Sequence, residues 1–176
     1  MSTVEKSFRL ARMSPLILYL TVGLLVLPLL FLLISAVSGK WVLVVPALLV
    51  AVIYSWVWAR FRPTLFVVHA DALEVVWPLK RRRIGRGEIS EVRLIDSREL
   101  RRETGRCMRV GAGGLWGGFG CLYTQRRGIV QMYISRTDHF VWIERVDDRP
   151  WLITPDQPQA FVQALSTVPS GVPAAS

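Results

Sequence analysis

Charged residues vanish from this chain for two long stretches and then return at short intervals. No Asp, Glu, Lys or Arg occurs from Pro15 to Val37 or from Trp41 to Ala59, and Lys40 is the one charge between Arg12 and Arg60. Each run is rich in Leu and Val. Each is about long enough to cross a hydrocarbon core of roughly 30 Å at ~1.5 Å per residue. Only Ser38, Gly39 and Lys40 separate them, so the two helices are expected to be antiparallel neighbours. Pro28 and Pro46 fall inside the runs; in lipid, prolines are tolerated where a neighbouring helix or side chain satisfies the freed carbonyl. The pattern predicts a two-helix transmembrane hairpin over residues 14–62. A short polar leader, 1–13, precedes it and reads as flexible or as the start of an interfacial helix.

Two other origins for such runs fit less well. A soluble domain from a chain of 176 residues cannot enclose two all-round apolar helices. A signal peptide has a shorter apolar region before its cleavage site. Ser35-Ala36-Val37-Ser38 weakly suggests such a site, but the run before it is too long.

After Pro63 the pattern shortens to β-type segments. Thr64–Val68 and Leu73–Trp77 are β-branched and aromatic, with His69-Ala70-Asp71 as the turn between them. Lys80–Arg83 reads as a basic turn. Ile89–Ile95 alternates apolar with polar, as a half-buried strand does. Residues 96–106 are charged and unpatterned and read as a loop. Further strands are expected at Cys121–Tyr123, Ile129–Ile134, Phe140–Glu144 and Trp151–Ile153, about seven in all. One amphipathic helix follows. Thr154 or Asp156 is its expected cap, Pro155 its first residue, and Phe161, Val162, Leu165 and Val168 its apolar face. Residues 169–176 are small and proline-containing and read as a disordered tail.

Charge adds an orientation. The net charge is +9. Lys6, Arg9 and Arg12 precede the first run, and Arg60 and Arg62 follow the second, whereas the connecting turn holds only Lys40. The positive-inside rule then puts both termini and the domain in the cytoplasm. Cys107 and Cys121 are expected to be free thiols in that reducing compartment.

The order of elements resembles the bacterial pleckstrin-homology-like (PH-like) family, in its membrane-tethered members. Three stretches carry the resemblance: Leu73-Glu74-Val75 through Ile84 to Ile89–Val92, the glycine-aromatic stretch Gly114–Gly120, and Ile153–Pro158 followed by Phe161. The resemblance implies a mainly β barrel or sandwich over residues 63–168, with two near-orthogonal antiparallel sheets closed at one end by a C-terminal helix. It implies little chemistry, because the fold hosts many binding roles. Lipid-binding relatives use basic residues around the first hairpin turn; here that turn, His69–Asp71, has no Lys or Arg.

Two stretches are candidate sites. Lys80, Arg81, Arg82, Arg83 and Arg86 form a basic cluster suited to an anionic leaflet, against the alternative of a solvated turn. Leu115, Trp116 and Phe119 lie in the glycine-dense stretch. That stretch lacks the Gly-Lys-Ser/Thr of a P-loop and the third glycine of a dinucleotide fingerprint. Its glycines read as a place of close backbone approach, and the loop otherwise as a partner-binding or membrane-touching one. No spacing supports a metal or cofactor, and a nucleophilic Cys107 or Cys121 with His139 has little behind it. No nucleic-acid module is present. The expectation is therefore a non-enzymatic, multi-pass protein of the bacterial inner membrane. Its domain would engage a protein partner or the membrane lipids, in an oligomeric state the sequence does not specify. The alternative is an accessory subunit of a membrane enzyme or transporter, held through the hairpin, where Pro28, Pro46 and the small residues Gly23, Ser35, Ala36, Ala47 and Ala51 permit close packing.

Overall fold

The computed structural model of the chain describes residues 6–166, so the expected tail at 169–176 lies outside the described residues. Two apolar helices form as the runs require, α1 (Pro15–Ser38) and α2 (Val44–Phe61). Gly39 ends α1 in the left-handed region, at φ 67°, where a residue without Cβ is unstrained. The Ser35 hydroxyl donates to Lys40 O at 2.9 Å and ties the turn down. One stripe of α1 is buried, at Ile17, Thr21, Pro28 and Ser35. On α2 the buried residue is Ala47. Of the five small residues expected to pack, Ser35 and Ala47 are buried, while Gly23, Ala36 and Ala51 face outward. Both helices are long and apolar enough to cross a membrane, and only 17% and 6% of their most apolar windows are buried.

The rest is a sandwich of two sheets. The first runs β1 (Lys6–Arg9), β2 (Leu65–Val68), β3 (Ala72–Val76) and β4 (Arg81–Gly85), each strand antiparallel to the next. The second has six strands: β5 (Ile89–Ile95), β6 (Cys107–Gly113), β7 (Gly118–Thr124), β8 (Gly128–Ile134), β9 (Phe140–Arg145) and β10 (Trp151–Ile153). In space they lie in the order β5-β9-β10-β8-β7-β6. It is not purely antiparallel as expected, because β10 runs parallel to β8. The sheets do not close into a barrel: β1, β4, β5 and β6 remain edges. Helix α4 (Pro158–Ser166) covers one end of the sandwich.

The main core lies between the sheets. Phe66, Leu73 and Val75 from the first sheet meet Ile143, Trp151 and Ile153 from the second, with Phe161 of α4 among them. All are 0% exposed, at roughly 1.5–3 kcal/mol each for burying such side chains. Phe8 of β1 packs edge-on against Phe161, centroids 5.3 Å apart. A second core on the far face gathers Leu122, Val130, Met132, Trp142 and Leu152, with Leu100 packed against it.

Five local expectations are overturned. The leader is neither flexible nor helical at residues 6–9, which pair with β2 (Lys6↔Val68, Arg9↔Leu65); the hydrogen bonds of a sheet edge outweigh the segment's polar pattern. Lys80–Arg83 is not a turn throughout. The turn closes at Lys80, where Trp77 N–H donates to Lys80 O at 2.8 Å, and Arg81–Arg83 extend along β4. Residues 96–106 contain a helix, α3 (Ser97–Thr104), because the Asp96 carboxylate accepts from the Arg98 and Glu99 amides at 2.7 Å each. Cys107–Gly113 is a strand, so the described residues hold ten strands rather than about seven. Lastly, α4 starts at Pro158, and Phe161 N–H reaches Gln157 O at 2.9 Å. A proline does take the first position, but neither Thr154 nor Asp156 is the cap. Thr154 is wholly buried, and its hydroxyl accepts from Ser135 N–H at 2.9 Å. Phe161 and Leu165 are buried as expected, while Val168 lies outside the described residues.

Candidate functional site

The glycine-dense stretch folds as the tip of the β6–β7 hairpin. Gly111 and Gly120 are cross-strand partners. Both have φ near +140°, at 141° and 134°, and a Cβ on either would collide with the facing backbone. Here the glycines serve close backbone approach. The tip rests on α1. Trp116 N–H donates to the Thr21 hydroxyl at 2.9 Å. That hydroxyl's own hydrogen lies within reach of Gly114 O (3.1 Å) and Ile17 O (2.7 Å). Thr21 is 3% exposed. A polar group in an apolar helix is costly unless hydrogen-bonded; the helix supplies Ile17 O, and the tip adds Gly114 O and the Trp116 N–H. Leu115 and Phe119 are buried within the fold, and Trp116 is half-buried with φ 59°. Of the three residues expected to face a partner, only Trp116 retains appreciable surface.

The foot of α1 is joined to the domain by further bonds. Ser14 N–H donates to Ser135 O (3.1 Å), and Ala11 N–H to Thr154 O (2.9 Å). The Ser135 hydroxyl donates to Ala11 O at 2.6 Å.

The basic cluster comes apart into separate roles. Arg86 reaches inward: its guanidinium donates to Ala164 O (2.9 Å), Leu165 O (3.3 Å) and His69 O (3.2 Å), serving the last carbonyls of α4. Arg83 grips Asp71 at 2.7 and 2.9 Å, and its hydrogen bond, ahead of any other cause, holds the Asp71 carboxyl below its ordinary value. Arg82 bonds Gln131 (3.2 Å) and Asp148 (3.1 Å) and lies over the Trp151 ring. Arg81 is outward, 3.7 Å from Glu74. Among the described residues Lys80 has no carboxylate partner, and its Nζ stands 4.4 Å from the centre of the Trp77 ring. Burial first, then Arg60 and Arg82, push its ammonium below the usual lysine range. The structure thus sets Lys80 within electrostatic reach of Arg60, which the sequence reading used only for orientation, and turns Arg86 away.

Beside this strip, Arg145 is buried between Glu88 (2.6 Å) and Asp148 and close to the Trp151 ring. Trp77, Tyr133 and Trp151 make an edge-to-face series at 5.4 and 5.5 Å. Burial pushes the Tyr133 phenol up.

Cys107 is exposed and Cys121 half-buried, both free. His69 is engaged by Glu74 (3.1 Å) and His139 by Asp138 (3.0 Å). Among the described residues no group of three or more His, Cys, Asp or Glu is arranged to hold a metal ion. The sequence reading took Arg60 and Arg62 only as charges that orient the hairpin and did not select Thr21 or Trp77, although a hydroxyl such as Thr21 in the first half of an apolar run is a signal of its own.

Neither a curated protein nor a solved structure matches the chain. A family model described as a bacterial PH domain matches residues 64–168. The match spans β2 to α4: the two packed sheets, less β1, and the helix that closes them. It takes in more than half of the sequence, and on that ground, with the fold in agreement, the chain belongs to the bacterial PH domain family.

Proposed function

We propose that this is a membrane-anchored, non-enzymatic PH-domain binding module. Its hairpin crosses the bacterial inner membrane twice, and its domain sits on the cytoplasmic face, where it engages a protein partner or the anionic leaflet. The observation that carries this reading is β1. Residues before α1 pair strand to strand with residues after α2, so the two ends of the hairpin share one side. An inserted pair of spans meets that condition. Removal of α1 as a signal sequence would also remove Phe8 from the core. Lengths and surface agree: the 24 residues of α1 rise about 36 Å at ~1.5 Å each. Leu16, Leu29, Leu33, Val45, Leu49 and Val52 are each 60% or more exposed. The cytoplasmic side follows from Arg9, Arg12, Arg60 and Arg62 at the feet against Lys40 at the turn.

Reporter fusions after Ser176 test the reading. A fluorescent protein should light up, and alkaline phosphatase should stay inactive, in a membrane fraction that resists alkaline extraction. Release by alkali, or an active phosphatase, would overturn it.

A second reading, an accessory subunit bound through its hairpin, is favoured by one observation. Helix α2 buries almost nothing, and Leu48, Leu49, Val52, Ile53 and Trp56 form its outward surface. Lipid responds to hydropathy alone, whereas a protein partner requires shape. Permuting those residues among themselves should leave a lipid-facing helix unaffected and abolish co-purification of a bound subunit.

A further inference from the structure

We infer that the foot of α2 carries a site for the phosphate of an acidic lipid headgroup, formed by Arg60, Arg62 and Lys80 around the contact between Trp77 and Phe61. The inference rests on the membrane-spanning reading above and adds to it the ligand class and the residues.

The site is organised by Trp77, which is 2% exposed at the end of β3. Its indole N–H donates to Phe61 O, the last residue of α2, at 3.1 Å. Its amide N–H closes the turn onto Lys80 O. The turn folds Lys80 back over the indole face, Nζ 4.4 Å from the ring centre. The ammonium therefore lies over the ring whose N–H holds Phe61 O, close enough to Arg60 for the two charges to repel, and Arg62 follows Phe61 where α2 ends.

Among the described residues these cations lack counter-charges. Every arginine of the neighbouring β4 strand has a carboxylate: Arg81 has Glu74, Arg82 has Asp148 and Arg83 has Asp71. Among the described residues no ion pair is formed by Arg60, Arg62 or Lys80, and the buried Nε of Arg62 has no hydrogen-bond acceptor. The C-terminal end of α2 offers roughly half an elementary negative charge, too little for three cations. A phosphate supplies the missing charge and several acceptor oxygens, and guanidinium forks match its geometry.

A lipid is the fitting source because the cations end an apolar surface. The charge-free run of α2 stops at Arg60, and Trp56 and Trp58, 59% and 40% exposed, stand just above it, as interfacial aromatics do. Acyl chains along α2 would continue directly into a headgroup at Arg60.

The test uses the full chain in a neutral detergent, with retained lipids counted by native mass spectrometry. Phosphatidylglycerol, phosphatidylcholine and inorganic phosphate are offered separately. Wild type should retain phosphatidylglycerol over phosphatidylcholine. Affinity should fall about fivefold per cation removed, so on the order of 100-fold in R60Q/R62Q/K80Q. R60K/R62K should keep most of it, and R81Q/R83Q should stay within about twofold of wild type. If the triple variant does not fold, Lys80→Gln alone should show the fivefold loss. Equal retention by wild type and the triple variant (or by wild type and Lys80→Gln), or an equal loss in R81Q/R83Q, would overturn the site. Inorganic phosphate displacing the lipid at equal concentration would overturn the lipid assignment. A wild-type chain that stays in solution without detergent sinks the spanning reading itself, whereas lost selectivity in a chain that still needs detergent sinks the site alone.

Discussion

At the foot of α1 the Ser14 amide is bonded to Ser135, and higher up Thr21 clasps both Gly114 and Trp116. At the foot of α2, the hydrogen bond from the domain recorded among the described residues is that of the Trp77 indole to Phe61. The same contrast runs up the helices, whose most apolar windows are 17% and 6% buried. The first helix is built into the β domain, continuous with β1 on one side and clasped by the β6–β7 tip on the other. The second returns the chain and leaves its surface to the surroundings. Two helices of near-equal apolarity thus have different jobs, and the polar atom at Thr21 marks the difference. The Thr21 hydroxyl is already met inside its helix by Ile17 O, so what it adds is an acceptor for Trp116 N–H and a contact with Gly114 O, and these hold the tip against α1.

The largest test of this asymmetry is Phe8→Ala. It empties a core position shared with Phe161 and should cost ~3–5 kcal/mol of domain stability, read by denaturant unfolding in detergent. A loss below about 1 kcal/mol would mean that β1 is dispensable and α1 no better rooted than α2. Next is Thr21→Val, which keeps the shape and removes the hydroxyl that bonds the tip. About 1–3 kcal/mol is expected, with faster amide exchange at Gly114–Trp116; unchanged exchange there would dissolve the clasp. On the α2 side, Trp77→Phe removes one hydrogen bond to a helix-end carbonyl, ~1 kcal/mol, on top of the packing lost when a buried indole is trimmed. Amide exchange should quicken at the end of α2 and stay unchanged at Gly114–Trp116; spread to the clasp would break the comparison.

The smallest effect lies in the β8–β9 turn, apart from both feet. The Arg136 guanidinium, with His139 behind it, holds the Asp138 carboxyl down at about 2. Its ordinary value is higher, so this pair supports the fold fully above about pH 4 and loses its contribution as the pH falls through about 2. Asp138 is half exposed, at 51%, and solvent screening keeps the contribution under about 1 kcal/mol. Asp138→Asn should flatten the acid limb of a stability profile slightly and leave exchange at the Thr21 clasp unchanged.

What could be read along the chain was whatever depends on neighbours in sequence. Two charge-free runs fix two helices wherever they are placed, since the pattern is local. Alternation and β-branching located most strands of the second sheet, and the proline-rich approach to Phe161 located α4 to within a few residues. Helix α3 was missed because only Leu100 is apolar in it. Its signal was chemical rather than periodic: Asp96 with Glu99 three residues on, and Gly105 at the end. The site was legible only in part. A run of Lys and Arg announces positive charge but not which charges are spent, and Arg86 and Lys80 differ only in what the fold sets against them.

The sequence by itself determined the two apolar helices, the basic balance at their ends and the β-rich domain beyond, because hydropathy and backbone preference act over a few residues. Tertiary structure alone decided that Lys6–Arg9 completes a sheet begun at Leu65 and that Thr21 holds Trp116. It also decided that Arg86 serves α4 while Lys80 lies within electrostatic reach of Arg60. Those pairings bridge 95 residues for Trp116 and Thr21 and 78 for Arg86 and Ala164. Their identity depends on sheet register and on which edges meet, quantities that no local window of sequence contains.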